Sequence, residues 1–367
     1  MPTPLARKIK RMIIETGPIS VADYFSLCLA DPEYGYYRVR EPFGRAGDFI
    51  TAPEISQLFG EMIGIFFIQA WQAQNRPDTV NIVEIGPGRA TLMSDAMRTI
   101  EKLAPDLYSA TTIHMVETSE RLKTVQRQAL LRHKTRTRWH SDFATVPEGF
   151  TLLVANELFD AIPIRQFMKT DHGFHERMVT IGSSDKLEFG IGPTRIEPEL
   201  LPDEGRNAPD GALFEVAPAR TAIMIAISER LKRDGGTALI IDYGHLNANY
   251  GDTLQAVRRH QFDPPLAHPG EADLTSHVDF EALAMAALAS GTHVHRPLTQ
   301  GDFLIGLGIL ERAGSLGSGK DRLTQATITD AVNRLASEGA GAMGQLFKVL
   351  CISGSPIALA PFERPGH

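Results

Sequence analysis

The feature that most constrains the fold is a strand, a glycine turn and a helix between residues 81 and 100. The strand is marked by a buried apolar run of three residues: Ile82, Val83 and Ile85. The run breaks at Gly86-Pro87-Gly88, and apolar residues then recur at helical spacing: Leu92, Met93, Met97 and Ile100. This pattern predicts the first unit of a doubly wound α/β sheet. Because glycine has no Cβ, the backbone can pass close to a ligand, toward which the first N–H groups of the helix point.

Three ligand classes use such a turn, and the residues around it discriminate between them. A dinucleotide loop reads G-x-G-x-x-G, but Thr91 occupies its third glycine position, and no Lys-Ser/Thr pair follows as in a phosphate-binding loop. The order Glu84-x-Gly86-x-Gly88 instead resembles motif I of class I S-adenosylmethionine-dependent methyltransferases, with Ala90 where a third glycine often stands. An acidic side chain beside the turn suits a cationic ligand that carries an amino acid better than it suits a pyrophosphate.

Composition excludes several other classes of protein. With 367 residues and 43% hydrophobic content, one large or two moderate domains are expected, and the net charge of -7 argues against a dedicated nucleic-acid binder. Cys28 and Cys351 lie among apolar residues, which indicates buried free thiols in a reducing compartment. No metal site is expected, because the spacing of the histidines fits no ligand motif. No apolar run is long enough to span a membrane or to form a secretory signal.

The chain divides into a helical N-terminal part and a larger core. Residues 1–78 are predicted to form a helical cap and a lid over the cofactor and substrate, because a polar, glycine-rich segment containing Asp48 and Thr51 precedes an apolar helix. Residues 79–360 are predicted to form a Rossmann-like core. Insertions are expected at 164–212, as short antiparallel strands, and at 245–275, as an irregular segment. Further predicted elements are strands at 238–241, 294–297 and 347–352 and helices at 217–232, 279–289, 301–312 and 322–337.

Acidic residues follow two of the predicted parallel strands. Glu117 follows the strand at 112–116, and in nucleotide-binding sheets an acid in this place accepts the ribose hydroxyls of the ligand. Asp142 follows a short strand at 137–140, where methyltransferases place an acid near the adenine amino group. A strand-terminal acid is also a common helix cap, so the spacing leaves both interpretations open for Glu117.

A third polar cluster, Asn156-Glu157-Leu-Phe-Asp160, follows the apolar strand at 151–155. Ligands of open α/β sheets bind at the carboxyl ends of the strands. Capping of the next turn is the structural alternative, but two carboxylates directly after a central buried strand have no evident structural need. We therefore interpret Glu157 and Asp160 as the catalytic acids, with Asn156 beside the cofactor.

Taken together, these motifs resemble the complex I assembly factor 7 / MidA family of methyltransferases. The matching segments are Gly47-Asp-Phe-Ile-Thr-Ala-Pro-Glu54-Ile-Ser56, Glu84-Ile-Gly-Pro-Gly88, Asn156-Glu-Leu-Phe-Asp-Ala161, Ile241-Asp-Tyr-Gly244, Asp273-Leu-Thr-Ser-His-Val-Asp-Phe280 and Gly344-Gln-Leu-Phe347-Lys. The resemblance covers nearly the whole chain. It implies the seven-stranded class I fold, S-adenosylmethionine as methyl donor, and symmetric dimethylation of an arginine in a core subunit of respiratory complex I.

The cofactor hypothesis gives each motif residue a role. The methionine portion is assigned to the turn: Glu84, Gly86, Pro87 and Gly88. Glu117 is assigned to the ribose, Asp142 to the adenine and Asn156 to the neighbourhood of the sulfonium, while Asp48 and Thr51 would close over the ligand. Glu157 and Asp160 would orient the acceptor arginine.

The expected partner is a protein substrate, and the chain is also expected to form a homodimer. Neither nucleic-acid binding nor a membrane span is expected. We expect a bacterial, cytoplasmic member, or a mitochondrial matrix protein if the chain is eukaryotic. Three alternatives stay open at this point: a methyltransferase for another acceptor, a non-catalytic assembly chaperone that keeps the fold, and a nicotinamide-dependent enzyme.

Overall fold

The computed structural model describes residues 2–39, 51–197, 199, 201, 208–248, 250–339 and 341–363. They belong to two compact units, each assembled from separate stretches of chain. The first unit comprises Met1–Phe49, Asp160–Ala222 and Asn247–Asp279. The second comprises Ile50–Phe159, Ile223–Leu246 and Phe280–His367. Helices and strands are numbered below in chain order.

The second unit contains the predicted parallel sheet. Its strands are β2 (Val80–Ile85), β3 (Thr111–Val116), β4 (Thr137–His140), β5 (Thr151–Asn156), β10 (Gly236–His245), β15 (His293–Val294), β16 (Leu298–Thr299) and β17 (Phe347–Ser353). Among the described residues, seven strands run in the order β15-β17-β10-β5-β2-β3-β4. The five from β10 to β4 are mutually parallel, and β17 is antiparallel to both β10 and β15. These seven strands confirm the expected seven-stranded sheet, and β16 pairs with β17 as an additional short strand.

The helices of this unit follow the strands as the apolar spacing predicts. They are α4 (Ala52–Ile55), α5 (Gln57–Ala73), α6 (Thr91–Leu103), α7 (Pro105–Ala110), α8 (Glu120–Ala129), α9 (Pro218–Asp234), α10 (Phe280–Ala289), α11 (Gln300–Gly306), α12 (Ile309–Gly317) and α13 (Arg322–Ala336). Residues 218–222 of α9 lie in the first unit. The prediction of a single helix at 301–312 is wrong. The segment divides into α11 and α12 because Gly308 adopts φ 89°, which interrupts the helical backbone.

One continuous apolar core lies under the parallel sheet of the second unit. Strand β5 is buried along its whole length, as a central parallel strand should be. Helix α5 approaches α6 closely through two glycines: a Cβ at Gly60 would lie 2.6 Å from the Cβ of Asp95, and one at Gly64 would lie 2.8 Å from the Ala96 carbonyl oxygen. These glycines let α5 pack tightly beside the helix that follows the motif I turn.

The first unit is built from helices and antiparallel strands. Its elements are α1 (Pro4–Thr16), β1 (Ile19–Ser20), α2 (Val21–Ala30), α3 (Tyr36–Val39), β6 (Arg165–Thr170), β7 (Gly173–Ile181), β8 (Leu187–Arg195), β9 (Leu213–Val216), β11 (Gln255–Arg258), β12 (Gln261–Asp263), β13 (Asp273–Thr275) and β14 (Val278–Asp279). Strands β1, β7, β6 and β9 pair in that order, and β8 joins the sheet beside β7. The antiparallel insertion predicted from residue 164 is therefore present and extends to β9.

The prediction of an irregular segment at 245–275 is wrong. Strands β12, β11 and β13 form a three-stranded antiparallel sheet there, with Ala256 opposite Leu274 and both residues buried. The hairpin between β11 and β12 turns at Arg259 and His260, which adopt φ 54° and 61°. Two consecutive positive φ values are typical of a type I′ turn, which usually carries Asn-Gly or Asp-Gly. The hairpin lacks that sequence signal.

The two units do not coincide with the division expected at residue 78. Helices α4 and α5, which precede that residue, belong to the second unit, whereas residues 160–222 of the predicted core belong to the first. The lid function assigned to residues 1–78 stays a prediction. In the described part of the chain, every helix is too short or too polar to cross a membrane.

Candidate active site

The motif I turn is held in a conformation that few residues other than glycine adopt. Gly86, Gly88 and Ala90 have φ values of 69°, 50° and 65°. A Cβ at Gly86 would lie 2.8 Å from Cδ1 of Leu158, and the positive φ would strain any residue with a side chain at this position. The Gly86 N–H donates to the Val116 carbonyl at 3.1 Å, and the Ala90 N–H donates to the Pro87 carbonyl at 2.7 Å. The turn is thus fixed at the carboxyl end of β2, directly before α6.

Glu84 lies beneath this turn with 3% of its surface exposed. Its carboxylate accepts a hydrogen bond from the backbone N–H of Met93 in α6, and burial raises its pKa to about 8. Its Oε2 atom is buried and has no hydrogen-bond partner among the described residues. Since buried polar atoms are normally paired, the arrangement suits a ligand that brings a positively charged donor to this carboxyl group.

Asn156 ends the neighbouring strand β5, and Glu157 follows it. Asn156 is 9% exposed, and its Oδ1 atom is a second buried oxygen without a partner in the described part of the chain. Its Nδ2 donates to Oε1 of Glu157 at 3.2 Å. Glu157 adopts φ 51°, which is unusual for a residue with a Cβ and costs about 1–3 kcal/mol. Such strain is concentrated at functional sites, which supports a role for this carboxylate.

The segment that begins α4 is hydrogen-bonded to both of these loops. The Ala52 N–H donates to Oε1 of Glu157 at 2.9 Å, and the Thr91 hydroxyl donates to Oε1 of Glu54 at 2.6 Å. Thr51 precedes α4 and makes no capping hydrogen bond with its side chain within the described residues. Asp48 lies outside the described residues. Thr51 therefore directly precedes a segment that is hydrogen-bonded to the loops of motif I and β5, and its closure over the ligand stays a prediction.

Glu117 follows β3 and is held by its own loop. Its Oε1 accepts from the Ser119 N–H at 2.7 Å and its Oε2 from Nε2 of Gln126 at 3.2 Å. Burial raises the pKa of this carboxyl group, although the hydrogen bonds oppose that effect. The Thr118 N–H also bonds to this carboxylate, and the binding of ribose hydroxyls by Glu117 stays a prediction.

Gln126 is the residue that sequence reasoning missed most clearly. It is fully buried in α8, and its Nε2 also donates to the Gly88 carbonyl at 2.9 Å. Its Oε1 accepts from Nε1 of Trp139 in β4 at 3.0 Å. One side chain thus joins the motif I turn, Glu117 and β4. A glutamine on a polar helix gives no sequence signal of such a role.

Asp142 occupies a different environment from the other acids. It is exposed after β4, and its Oδ1 accepts from the Ala144 N–H at 2.9 Å at the start of a short 3-10 turn. Asp142 therefore caps this turn, while its side chain is exposed. Contact with adenine stays a prediction.

Asp160 belongs to the first unit, whereas Glu157 belongs to the second. The Asp160 carbonyl accepts from the Ser276 N–H at 3.1 Å and from Nη2 of Arg220 at 3.3 Å. Burial and the charges of Asp273 and Asp160 raise the pKa of Tyr37 well above its usual value, which places the two carboxylates near that phenol. The shared role assigned to Glu157 and Asp160 stays a prediction.

Comparison with known proteins identifies the family of this chain. Residues 62–298 match the model of a family of S-adenosyl-L-methionine-dependent methyltransferases. The chain is 36% identical over 374 residues to the mitochondrial protein arginine methyltransferase NDUFAF7 of Danio rerio, covering 94% of this chain and 86% of that protein. It is 36% identical over 332 residues to the Homo sapiens protein of the same name, covering 84% and 74%.

The fold is similar to that of a solved structure from Burkholderia thailandensis, a COG1565 superfamily member bound to S-adenosyl-homocysteine. Its TM-score is 0.86 at 28% identity, with 99% of this chain and 97% of that chain covered. A second structure from the same organism has a TM-score of 0.82 at 27% identity, with 100% and 98% covered. The chain therefore belongs to the family of S-adenosyl-L-methionine-dependent methyltransferases that includes the mitochondrial NDUFAF7 proteins.

Proposed function

We propose that this methyltransferase transfers its methyl group to arginine in a protein acceptor. The observation that carries the proposal is the pair of buried oxygens without described partners, on Glu84 and Asn156, beside the strained Glu157. The names of the curated relatives, which are protein arginine methyltransferases, support arginine as the acceptor.

The donor set fits the cofactor. S-Adenosylmethionine supplies a methyl group on a positively charged sulfur. We assign its amino-acid end to Glu84 and to the turn Gly86-Pro87-Gly88, since a carboxylate and N–H groups of a helix start suit an ammonium and a carboxylate. Glu117 would hold the ribose and Asp142 the adenine. In this proposal Asn156 lies near the sulfonium, with Thr51 and Asp48 closing the site.

An arginine acceptor poses an electrostatic problem that acidic residues solve. The guanidinium remains protonated at neutral pH and must approach a second positive charge. Two unit charges about 4 Å apart interact by roughly 4 kcal/mol at an effective dielectric of about 20. A carboxylate beside the guanidinium offsets this repulsion and fixes its planar fork. We assign this role to Glu157 and Asp160, which would also receive the proton that leaves the guanidinium as the methyl group is transferred.

The finer details follow from the resemblance and are proposals as well. The acceptor would be a core subunit of respiratory complex I, and the product would be symmetric dimethylarginine. A homodimer and a bacterial cytoplasmic location, or the mitochondrial matrix for a eukaryotic chain, belong to the same proposal. A methyltransferase for another acceptor is the main alternative, and a non-catalytic chaperone with the same fold is the second.

The acceptor is tested with purified protein and methyl-labelled S-adenosylmethionine. The labelled complex I core subunit is hydrolysed, and its amino acids are separated. Label in symmetric dimethylarginine would support the proposal, whereas label in another residue would favour the alternative acceptor.

S-adenosyl-homocysteine at about 100 times its dissociation constant should stabilise the fold by roughly 2.7 kcal/mol and raise the unfolding midpoint by several degrees, with NAD as the control. Binding without transfer to any acceptor would favour the chaperone.

The protonation of Glu84 gives a prediction about pH. Its pKa of about 8 lies above its ordinary value of 4.5, so at neutral pH the folded protein holds a proton that cofactor binding must release. If the bound form is ionised, affinity for S-adenosyl-homocysteine should rise about 50-fold between pH 6 and pH 8. Titration calorimetry at several pH values measures this. Glu84→Gln should lower the affinity and flatten its pH dependence; a flat profile in the native protein would contradict the assignment.

The proton on Glu84 also affects folding stability: stability is expected to fall as the pH rises, whereas cofactor affinity is expected to rise. Because the folded-state pKa is raised, the folded protein binds more protons than the unfolded chain between about pH 4.5 and pH 8. The contribution of neutral Glu84 to the free energy of unfolding is therefore complete below pH 4.5 and is lost as the pH rises through about 8.

A further inference from the structure

A buried aspartate outside the predicted site holds the loop that carries Glu157. Asp242 lies in β10 and has none of its surface exposed. Its Oδ2 accepts from the Phe159 N–H at 2.9 Å, and its Oδ1 accepts from the Tyr243 N–H at 2.9 Å. The Glu157 N–H donates at 2.9 Å to the carbonyl of Ile241, the residue before Asp242. The end of β10 thus fixes the loop on both sides of residue 158.

This attachment coincides with the strained part of the backbone. Glu157 keeps φ 51°, and such a conformation persists only where the surroundings determine it. Its carboxylate in turn accepts from the Ala52 N–H and from Asn156. Any relaxation of the Phe159 amide would let the Glu157 backbone move toward a commoner conformation and carry its carboxylate away from these two donors.

We propose that Asp242 is a positioning residue that sets the geometry of Glu157 for methyl transfer. The inference rests on the proposed function, in which Glu157 acts on the acceptor. A carboxylate is required because it accepts from two N–H donors at once, one on each oxygen. An asparagine amide would direct an NH₂ group at one of those donors. A shift of about 1 Å in a reacting group can lower a rate about 100-fold.

The test compares Asp242→Asn, Glu157→Gln and the double variant. Asp242→Asn should lower the methyl-transfer rate about 10- to 100-fold while the dissociation constant of S-adenosyl-homocysteine stays within about threefold. In the Glu157→Gln background the same change should cause no further loss, because both substitutions act through one carboxylate. Asp95→Asn is the matched control: Asp95 is also buried and pairs with Arg98 at 2.7 Å, and its loss should leave the rate within about twofold.

A second readout does not depend on the acceptor. Amide hydrogen exchange of the peptide containing residues 157–159 should accelerate in Asp242→Asn and remain unchanged in Asp95→Asn. Multiplicative rate losses in the double variant, or unchanged exchange of that peptide, would overturn the positioning role. Absence of arginine methylation by the native enzyme would overturn the proposed function, and the exchange result would still decide whether Asp242 holds the loop. If Asp242→Asn does not fold, Asp242→Glu, which keeps the charge and moves it by one methylene, should give the same rate and exchange changes.

Discussion

Replacing Glu117 with alanine should weaken the binding of S-adenosyl-homocysteine about 100- to 1,000-fold. In our assignment its carboxylate accepts both ribose hydroxyls, and a hydrogen bond to a charged group is worth about 1.5–3 kcal/mol. The substitution also removes the acceptor for the Ser119 N–H and for one donor hydrogen of Gln126, so the loop itself loses its internal hydrogen bonds. Titration calorimetry measures the dissociation constant directly.

Glu120→Ala provides the matched control for this experiment. Glu120 lies three residues further on, at the start of α8. Its side chain is 76% exposed and pairs with the buried Lys123 at 2.7 Å. Its removal should leave the affinity within about twofold, since solvent screens the charge of an exposed carboxylate. Equal affinities of native protein and Glu117→Ala would remove Glu117 from the cofactor site.

Replacing Glu157 with glutamine should lower the methyl-transfer rate at least 100-fold while S-adenosyl-homocysteine still binds within a few-fold of the native affinity. The amide keeps an oxygen that can accept from the Ala52 N–H, so the loop geometry is preserved. It loses the negative charge that offsets roughly 4 kcal/mol of repulsion between the guanidinium and the sulfonium. Single-turnover rates with labelled cofactor separate the chemical step from binding.

An exposed glutamate outside the site controls for the chemistry of the substitution. Glu148→Gln removes a carboxylate that is 77% exposed and lies 3.3 Å from Arg233, and it should leave the rate unchanged. Native turnover by Glu157→Gln with cofactor still bound would show that this carboxylate does not act on the acceptor. The same result for Asp160→Asn would show that neither acid does.

The central part of the parallel sheet was predictable because strands β2, β3 and β5 are almost entirely buried. β2, β3 and β5 begin or end within one residue of the predicted bounds, since an apolar run that ends on glycine or on an acid marks both a central strand and its carboxyl edge. Glu84, Glu117 and Asn156 lie at or directly after the ends of these strands. Their positions were predictable because each is adjacent in sequence to the apolar run that marks its strand.

Longer-range relations were not predictable from local pattern. Gln126 and Asp242 acquire their roles from partners 38 and 83 residues away, at Gly88 and Phe159, and neither distance leaves a periodic signal. The strands at 255–275 are short, and their hairpin turns on Arg259-His260, where the sequence gives no glycine or asparagine. The strain at Glu157 is likewise a property of the folded backbone alone.

The interleaving of the two units has a consequence for synthesis on the ribosome. The first unit draws residues from stretches that end at 279, and strand β17 completes the sheet of the second unit only at residue 353. Since domains of nascent chains generally fold as units from the N-terminus onward, neither unit can finish folding early. The first 49 residues must await segments made more than 100 residues later. Most of the polypeptide is therefore exposed before its partners emerge, a stage at which chaperones would protect it from aggregation.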